Sequence, residues 1–228
     1  MSGPFCFVIG WCIFTKKQTS MEVLEKIRLS DEQIAILETG ELVLIPASWE
    51  EFEEFLAETD YRIDYHDGQI IIMGLAEFIH EVLVSQLIYL LKGFYLNQPV
   101  YIAGSNAGIR KAEKKGHYNG DVLVVKGRPA YLGKSRSIIA NPFLIVEVLS
   151  KSTLNYDLGA KRRKYEQMEA VQEIVFVDPI DREVLVCRRT EQPNTWLETT
   201  YRQLDEAVII DGNSVLLDTI FSNLPEEE

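Results

Sequence analysis

Between Ala76 and Leu96 apolar residues recur every three or four positions: Ile79, Val82, Leu83, Leu87, Leu90, Leu91 and Phe94. That spacing lines one face of a helix and predicts a long amphipathic helix. "PASWEEFEEFLAET" starts with Ser48 three positions before Glu51, a capping box, and predicts a short helix. "YRIDYHDGQIIIMG" alternates on either side of Asp67-Gly68, the dipeptide of a tight hairpin turn. Strands are predicted near 99–110, 121–125, 143–149, 173–178 and 183–189, with a helix near 156–169. "YRQLDEAVIIDGNSVLLDTIF" supplies short closing strands and a terminal helical turn. The central order is therefore helix, three strands, helix, strand, an α/β (α+β) arrangement.

Three charged residues break this pattern. Glu147 interrupts "PFLIVEVL" and shares a strand face with Ile145 and Leu149. Asp121 opens the apolar run "VLVV". Lys161 lies three residues after Leu158 and four before Tyr165, on the stripe that continues to Met168, so it points toward the sheet. A buried charge without a partner is strongly unfavourable. Three misfits on adjacent elements predict one cluster, and its residual negative charge suits a hard divalent cation held through oxygen.

Composition narrows the class. The chain has 228 residues, of which 46% are hydrophobic, enough for a sizeable core. Cys6, Cys12 and Cys187 are scattered and odd in number, which favours neither disulfides nor zinc and points to a reducing cytoplasm. The apolar stretch "PFCFVIGWCIF" is too short for a membrane-spanning helix, and its lysines follow it rather than precede it. Residues 1–20 are read as a non-domain extension and 21–228 as one domain, with no membrane association.

The net charge of −12 argues against nucleic acid until its distribution is considered. From Arg110 to Lys164 there are thirteen Lys and Arg against four acids, a local surplus of nine positive charges. Such a field can hold a polyanion, although it is equally the signature of a solvated basic face.

"GDVLVV", "PFLIVEVLSKST" and "DLGAKRRKYEQMEAVQEIVFVDP" resemble the Uma-type restriction endonuclease family, a domain of unknown function within the PD-(D/E)XK nuclease superfamily. The likeness runs over roughly residues 45–220. It implies a restriction-endonuclease-like αβββαβ core with an N-terminal hairpin and short C-terminal strands. It also implies DNA phosphodiester cleavage with Mg²⁺ (or Mn²⁺), and homodimers. Carried onto this chain, Asp121 and Glu147 match the superfamily's two metal-binding acids. The usual lysine position, two after Glu147, holds Leu149; Lys161 on the following helix takes that role. Gly120 replaces the expected proline, and Gln69 replaces a frequent glutamate.

Other residues carry less weight. His80 stands where family members often have histidine and is an accessory candidate with Glu77, although a lone helix histidine is more often structural. Lys114, Lys115, Arg162 and Arg163 are candidate DNA contacts. Ser150, Ser152 and Thr153 have no histidine near them in sequence and read as turn and cap residues. Tyr165 reads as core. The rival readings are a non-catalytic domain that keeps the fold and binds DNA or protein, and a structural module whose acids form buried ion pairs.

Overall fold

The structure, a computed structural model, describes residues 27–111, 115–132 and 135–225. The extension at residues 1–20, with Cys6 and Cys12, lies outside the described residues, as does Lys114.

The described residues begin with two short helices, α1 (Asp31–Glu38) and α2 (Trp49–Glu58). Each begins in a capping box: Ser30 pairs with Gln33 and Ser48 with Glu51, so the otherwise orphaned first amides are satisfied. Strand β1 (Val43–Pro46) lies between the helices, and β2 (Ile63–His66) and β3 (Gln69–Ile72) form the expected hairpin. Asp67 and Gly68 both have positive φ, 52° and 79°, the turn that matches the twist of paired strands. The three strands form a sheet in the order β1-β3-β2, and Phe52 and Phe55 of α2 pack on Ile63, Tyr65, Ile70 and Ile72.

The main layer follows. Helix α3 (Phe78–Phe94) precedes β4 (Val100–Gly104), β5 (Gly108–Ile109), β6 (Tyr118–Asn119), β7 (Val122–Lys126), β8 (Ile138–Ile139) and β9 (Leu144–Val148). A π-helical segment (Tyr156–Lys161) runs directly into α4 (Arg162–Glu166) and leads to β10 (Glu173–Asp178). Then come β11 (Glu183–Arg189), β12 (Trp196–Tyr201), the hairpin of β13 (Ala207–Ile210) and β14 (Asn213–Leu216), and α5 (Leu217–Ile220). Six strands make the central sheet, in the order β12-β11-β10-β9-β7-β4. Within this sheet β9 and β10 are the pair that runs parallel, so the chain must cross between them over one face, and the π-helical segment and α4 make that crossing. The αβββαβ core is thus α3, β4, β7, β9, the crossover helix and β10. Strands β6, β5 and β8 form a separate small sheet.

Alternation along the central strands builds two cores. Val122, Val124, Leu144, Val146, Val148, Val175 and Val177 face α3. Leu123, Ile145, Leu149, Ile174 and Phe176 face the crossover helix, which contributes Tyr165 and Met168. Three features differ from the sequence pattern. The strand expected near 99–110 divides at a turn, where the Ala107 amide donates to the Gly104 carbonyl, and its two halves join different sheets. The crossover helix ends at Glu166. Elements α1, β1, β6, β8 and β12 are additional to those the pattern predicted.

Candidate active site

Strands β7 and β9 are antiparallel, with Val122 opposite Val146 and Leu123 opposite Ile145. Asp121 immediately precedes β7 at this junction, and Glu147 follows Val146 on β9. The Asp121 amide donates to the Val146 carbonyl at 3.0 Å, and the Val148 amide donates to Asp121 Oδ2 at 2.8 Å. Both acids line one cleft. Gly120 permits the local packing, because a Cβ there would meet Ile145 Cγ2 at 2.8 Å and Leu123 Cδ2 at 2.9 Å.

Glu147 lies on the helix-facing side of β9, beside Phe176 of β10 and between Ile145 and Leu149. Lys161 enters from the crossover helix. Its Nζ is 2.9 Å from Glu147 Oε1, 3.1 Å from Asp157 Oδ1 and 4.0 Å from Asp64 Oδ2, and the residue is only 2% exposed. The π-helical segment holds both Asp157 and Lys161; such widened turns are frequent at functional sites. Leu149, at the position where the superfamily usually has its lysine, is buried in the core.

Further partners hold the two acids in place. Arg62 Nη1 donates to Asp121 Oδ1 at 2.8 Å. His80 Nε2 lies 3.2 Å from Asp121 Oδ2, and its Nδ1 is 3.3 Å from Glu81 Oε1 without hydrogen-bond geometry. The Tyr165 hydroxyl donates to Glu147 Oε1 at 2.6 Å, so this core residue also has a polar task. Asp64 accepts from the Asn119 amide and side chain and from the Tyr156 hydroxyl. Sequence reasoning did not single out Arg62, Asp64, Tyr156 or Asp157. A signal for two of them exists: Arg62, Asp64 and His66 alternate with Ile63 and Tyr65, which defines a polar face on β2. That face turns toward the site, and Asp64 and His66 are buried.

The electrostatics are those of a cluster short of cations. Asp64, Asp121, Glu147 and Asp157 are all buried, and the permanent cations in contact with them are Arg62 and Lys161. With all four acids ionised, two positive charges are lacking. The protein compensates with protons. Burial, reinforced by the charges of Asp121 and Asp157, pushes Glu147 up to about 8 despite Lys161 beside it. Burial alone would raise Asp121 too, but the Arg62 charge and the His80 hydrogen bond outweigh it and hold this carboxyl well below the usual range. Burial works against charging His80 and Lys161, yet their acid neighbours raise both.

A cleft of about 450 Å³ opens onto this cluster and is lined by Arg62, Glu77, His80, Asp121, Glu147 and Lys161 among others. Ser150 bonds to Ser152 and Thr153 in the turn that precedes the crossover helix. The candidate DNA contacts lie outside the cleft lining: Lys115 pairs with Glu50 at 2.9 Å, Arg162 pairs with Glu166 and Glu198, and Arg163 is exposed. Among the described residues no group of three or more His, Cys, Asp or Glu is arranged to hold a metal. Asp121 and Glu147 are two carboxylates that open onto the cleft. That fits Mg²⁺, which takes one or two carboxylates and keeps several waters. The shortfall of two charges fits a divalent cation as well.

Comparison with known proteins agrees with this architecture. The family model "Uma2: Putative restriction endonuclease" matches residues 49–216. Two proteins of Synechocystis sp., both named uncharacterized, are similar: slr1290 is 29% identical over 79% of this chain and 93% of its own length, and sll1609 is 28% identical over 60% and 75%. A crystal structure of "a putative nuclease belonging to DUF820" from Anabaena variabilis superposes with a TM-score of 0.60. It is 16% identical and covers 79% of this chain and 100% of its own. Among the described residues, no helix is long and apolar enough to cross a membrane.

Proposed function

The chain belongs to the Uma2 family of restriction endonuclease-like proteins, and from that premise we propose that it hydrolyses DNA phosphodiester bonds with one divalent cation, Mg²⁺ or Mn²⁺, held by Asp121 and Glu147. The observation that carries this reading is the pair of acids on neighbouring strands, inside a buried cluster two positive charges short. A bound divalent cation supplies polarisation of the phosphate and a more acidic water. The chain's own residues do the rest. The Val148 amide and His80 orient Asp121, and Tyr165 fixes the rotamer of Glu147, the outer-shell support that metal ligands need. Lys161 keeps its proton among acids and places positive charge where charge develops on the phosphoryl oxygens. Asp64 and Asp157 position Lys161 rather than bind metal. Exposed Arg163, with Lys114, Lys115 and Arg162, extends the contact to the DNA backbone, and a homodimer addresses the two strands of a duplex.

Thermal unfolding with and without Mg²⁺, run beside plasmid nicking, tests the reading. Glu147→Gln keeps the shape and resembles the protonated carboxyl, whose charge burial disfavours. It is expected to be neutral or stabilising without metal, to abolish Mg²⁺-induced stabilisation and to abolish nicking. Lys161→Met leaves Glu147 and Asp157 without their cation and should cost about 3–5 kcal/mol; it should lose nicking while Mg²⁺ still stabilises it. If Mg²⁺ never stabilises the wild type and Glu147→Gln unfolds it, the acids are structural ion-pair members. If the wild type binds DNA and Mg²⁺ without nicking, the domain is a non-catalytic binder.

A further inference from the structure

Among the described residues, Arg62 is the charged group on the acids that the proposed chemistry leaves without a role. Its Nη1 donates to Asp121 Oδ1 at 2.8 Å and its Nη2 to the Asn119 carbonyl at 2.7 Å. Its Nε is buried with no hydrogen-bond partner, so the guanidinium is not fully satisfied where it sits. Arg62 is also a partition. On one side it lines the cleft that contains Glu147 and Lys161. On the other it lines a second cavity of about 410 Å³, with Tyr61, Ser105, Asn106 and Ser137. The side chain is 26% exposed, so it can swing without opening the core.

An arginine and a divalent cation on the same carboxylate are alternatives. Both are held by the same negative charge, and at contact distance they repel each other. We propose that Arg62 is a resident counter-ion which a divalent cation displaces from Asp121, and that the freed guanidinium then grips the phosphodiester. The inference rests on the metal-dependent reading of the cleft. A planar five-donor fork matches the two free oxygens of a phosphodiester better than it matches one carboxylate oxygen and a carbonyl. Metal and Arg62 therefore compete, whereas metal and DNA cooperate through Arg62. Without metal the acids keep Arg62, and the cleft has one cation fewer to offer to a polyanion.

The test is calorimetric titration of the full chain with Mn²⁺ in the absence of DNA, for the wild type, Arg62→Met and Arg62→Lys. Arg62→Met should bind Mn²⁺ about tenfold more tightly or better, and Arg62→Lys, which keeps the charge, should stay nearer the wild type. A second arm follows the anisotropy of a labelled duplex with Ca²⁺ as a metal that needs no turnover. With Ca²⁺, Arg62→Met should lose about tenfold in DNA affinity, and without metal it should match the wild type. The proposal is overturned if Arg62→Met melts cooperatively but binds Mn²⁺ no better, or if its DNA defect is the same with and without metal. Should Arg62→Met fail to fold, the arginine Nε–Hε resonances of the wild type decide: the Arg62 signal must move as metal is added, and a signal unmoved at saturation refutes displacement. A wild type that binds no Mn²⁺ removes the nuclease reading and this one together. A wild type that binds Mn²⁺, with no gain in Arg62→Met, removes this one alone.

Discussion

His117 is held as a neutral imidazole. Burial, and then the charge of Arg110, push its pKa from an ordinary 6.5 down to about 3, and its Nδ1 accepts from Arg110 Nε at 3.1 Å. The unfolded chain takes up a proton near 6.5 and the folded one does not. The stabilisation is therefore complete above 6.5 and is lost as the pH falls toward 3. Glu147 and His80, whose values are raised, tilt the whole-protein profile the other way. The prediction is accordingly a difference: denaturant unfolding of wild type against His117→Gln should show the stability gap shrinking between pH 7 and pH 4, and a gap independent of pH would refute it. The same residue scale explains what could be read of the site. Glu147, Asp121 and Lys161 were visible because each is a charge in an apolar period. Arg62 and Asp64 were not, because they sit on the polar side of a properly alternating strand, and alternation does not say whether a polar face meets water or other charges. Asp157 was hidden for another reason: its place one turn before Lys161 looks like an ordinary surface ion pair.

Among the elements, the junction of β7 and β9 sets the site, since it brings Asp121 and Glu147 to one cleft. Gly120 is the tolerance of that junction. Gly120→Ala would place a methyl 2.8 Å from Ile145 Cγ2, a branched carbon with little room to turn. Overpacking of this kind costs about 1–3 kcal/mol. Thermal unfolding should register that loss, with metal-induced stabilisation reduced as Asp121 shifts; an unchanged melting temperature would mean that the strands adjust freely. The elements with strong periods were legible, among them α2, α3, the β2–β3 hairpin and the αβββαβ order. Those it missed lacked contrast. Helix α1 buries only Leu37, and β12 is an edge strand with no fully buried residue, so neither imposes a hydrophobic period on its sequence. The split of the 99–110 strand was equally unreadable, because both halves are strand and only the sheet that each joins differs.

At the scale of the molecule, a chain of net charge −12 concentrates its positive charge in one stretch of sequence. Several of those cations are engaged by acids from elsewhere: Arg110 with Glu53, Lys115 with Glu50, and Lys164 with Asp67. Exposed pairs of this type are weak, and a polyanion can compete for the lysines. DNA affinity should therefore fall about tenfold or more between about 50 and 200 mM salt. Lys115→Glu with Arg163→Glu should weaken binding alike for unrelated duplexes, as fluorescence anisotropy would record. An affinity indifferent to salt would leave the basic stretch a solvated face.

The contacts that hold Asp121 also carry a time order. Arg62 reaches it from 59 positions earlier in the chain and His80 from 41, while the β9 amide that binds it lies 27 positions later. Contacts this distant in sequence close late, after local helices and hairpins have formed, because each one costs loop entropy before it returns any energy. A chain still emerging from the ribosome past Asp121, but short of Glu147, has one of the two acids, no Lys161, and no finished cleft. The cluster is thus completed only after Lys161 and Tyr165, the partners of Glu147, have been added, so its assembly belongs to the later part of synthesis.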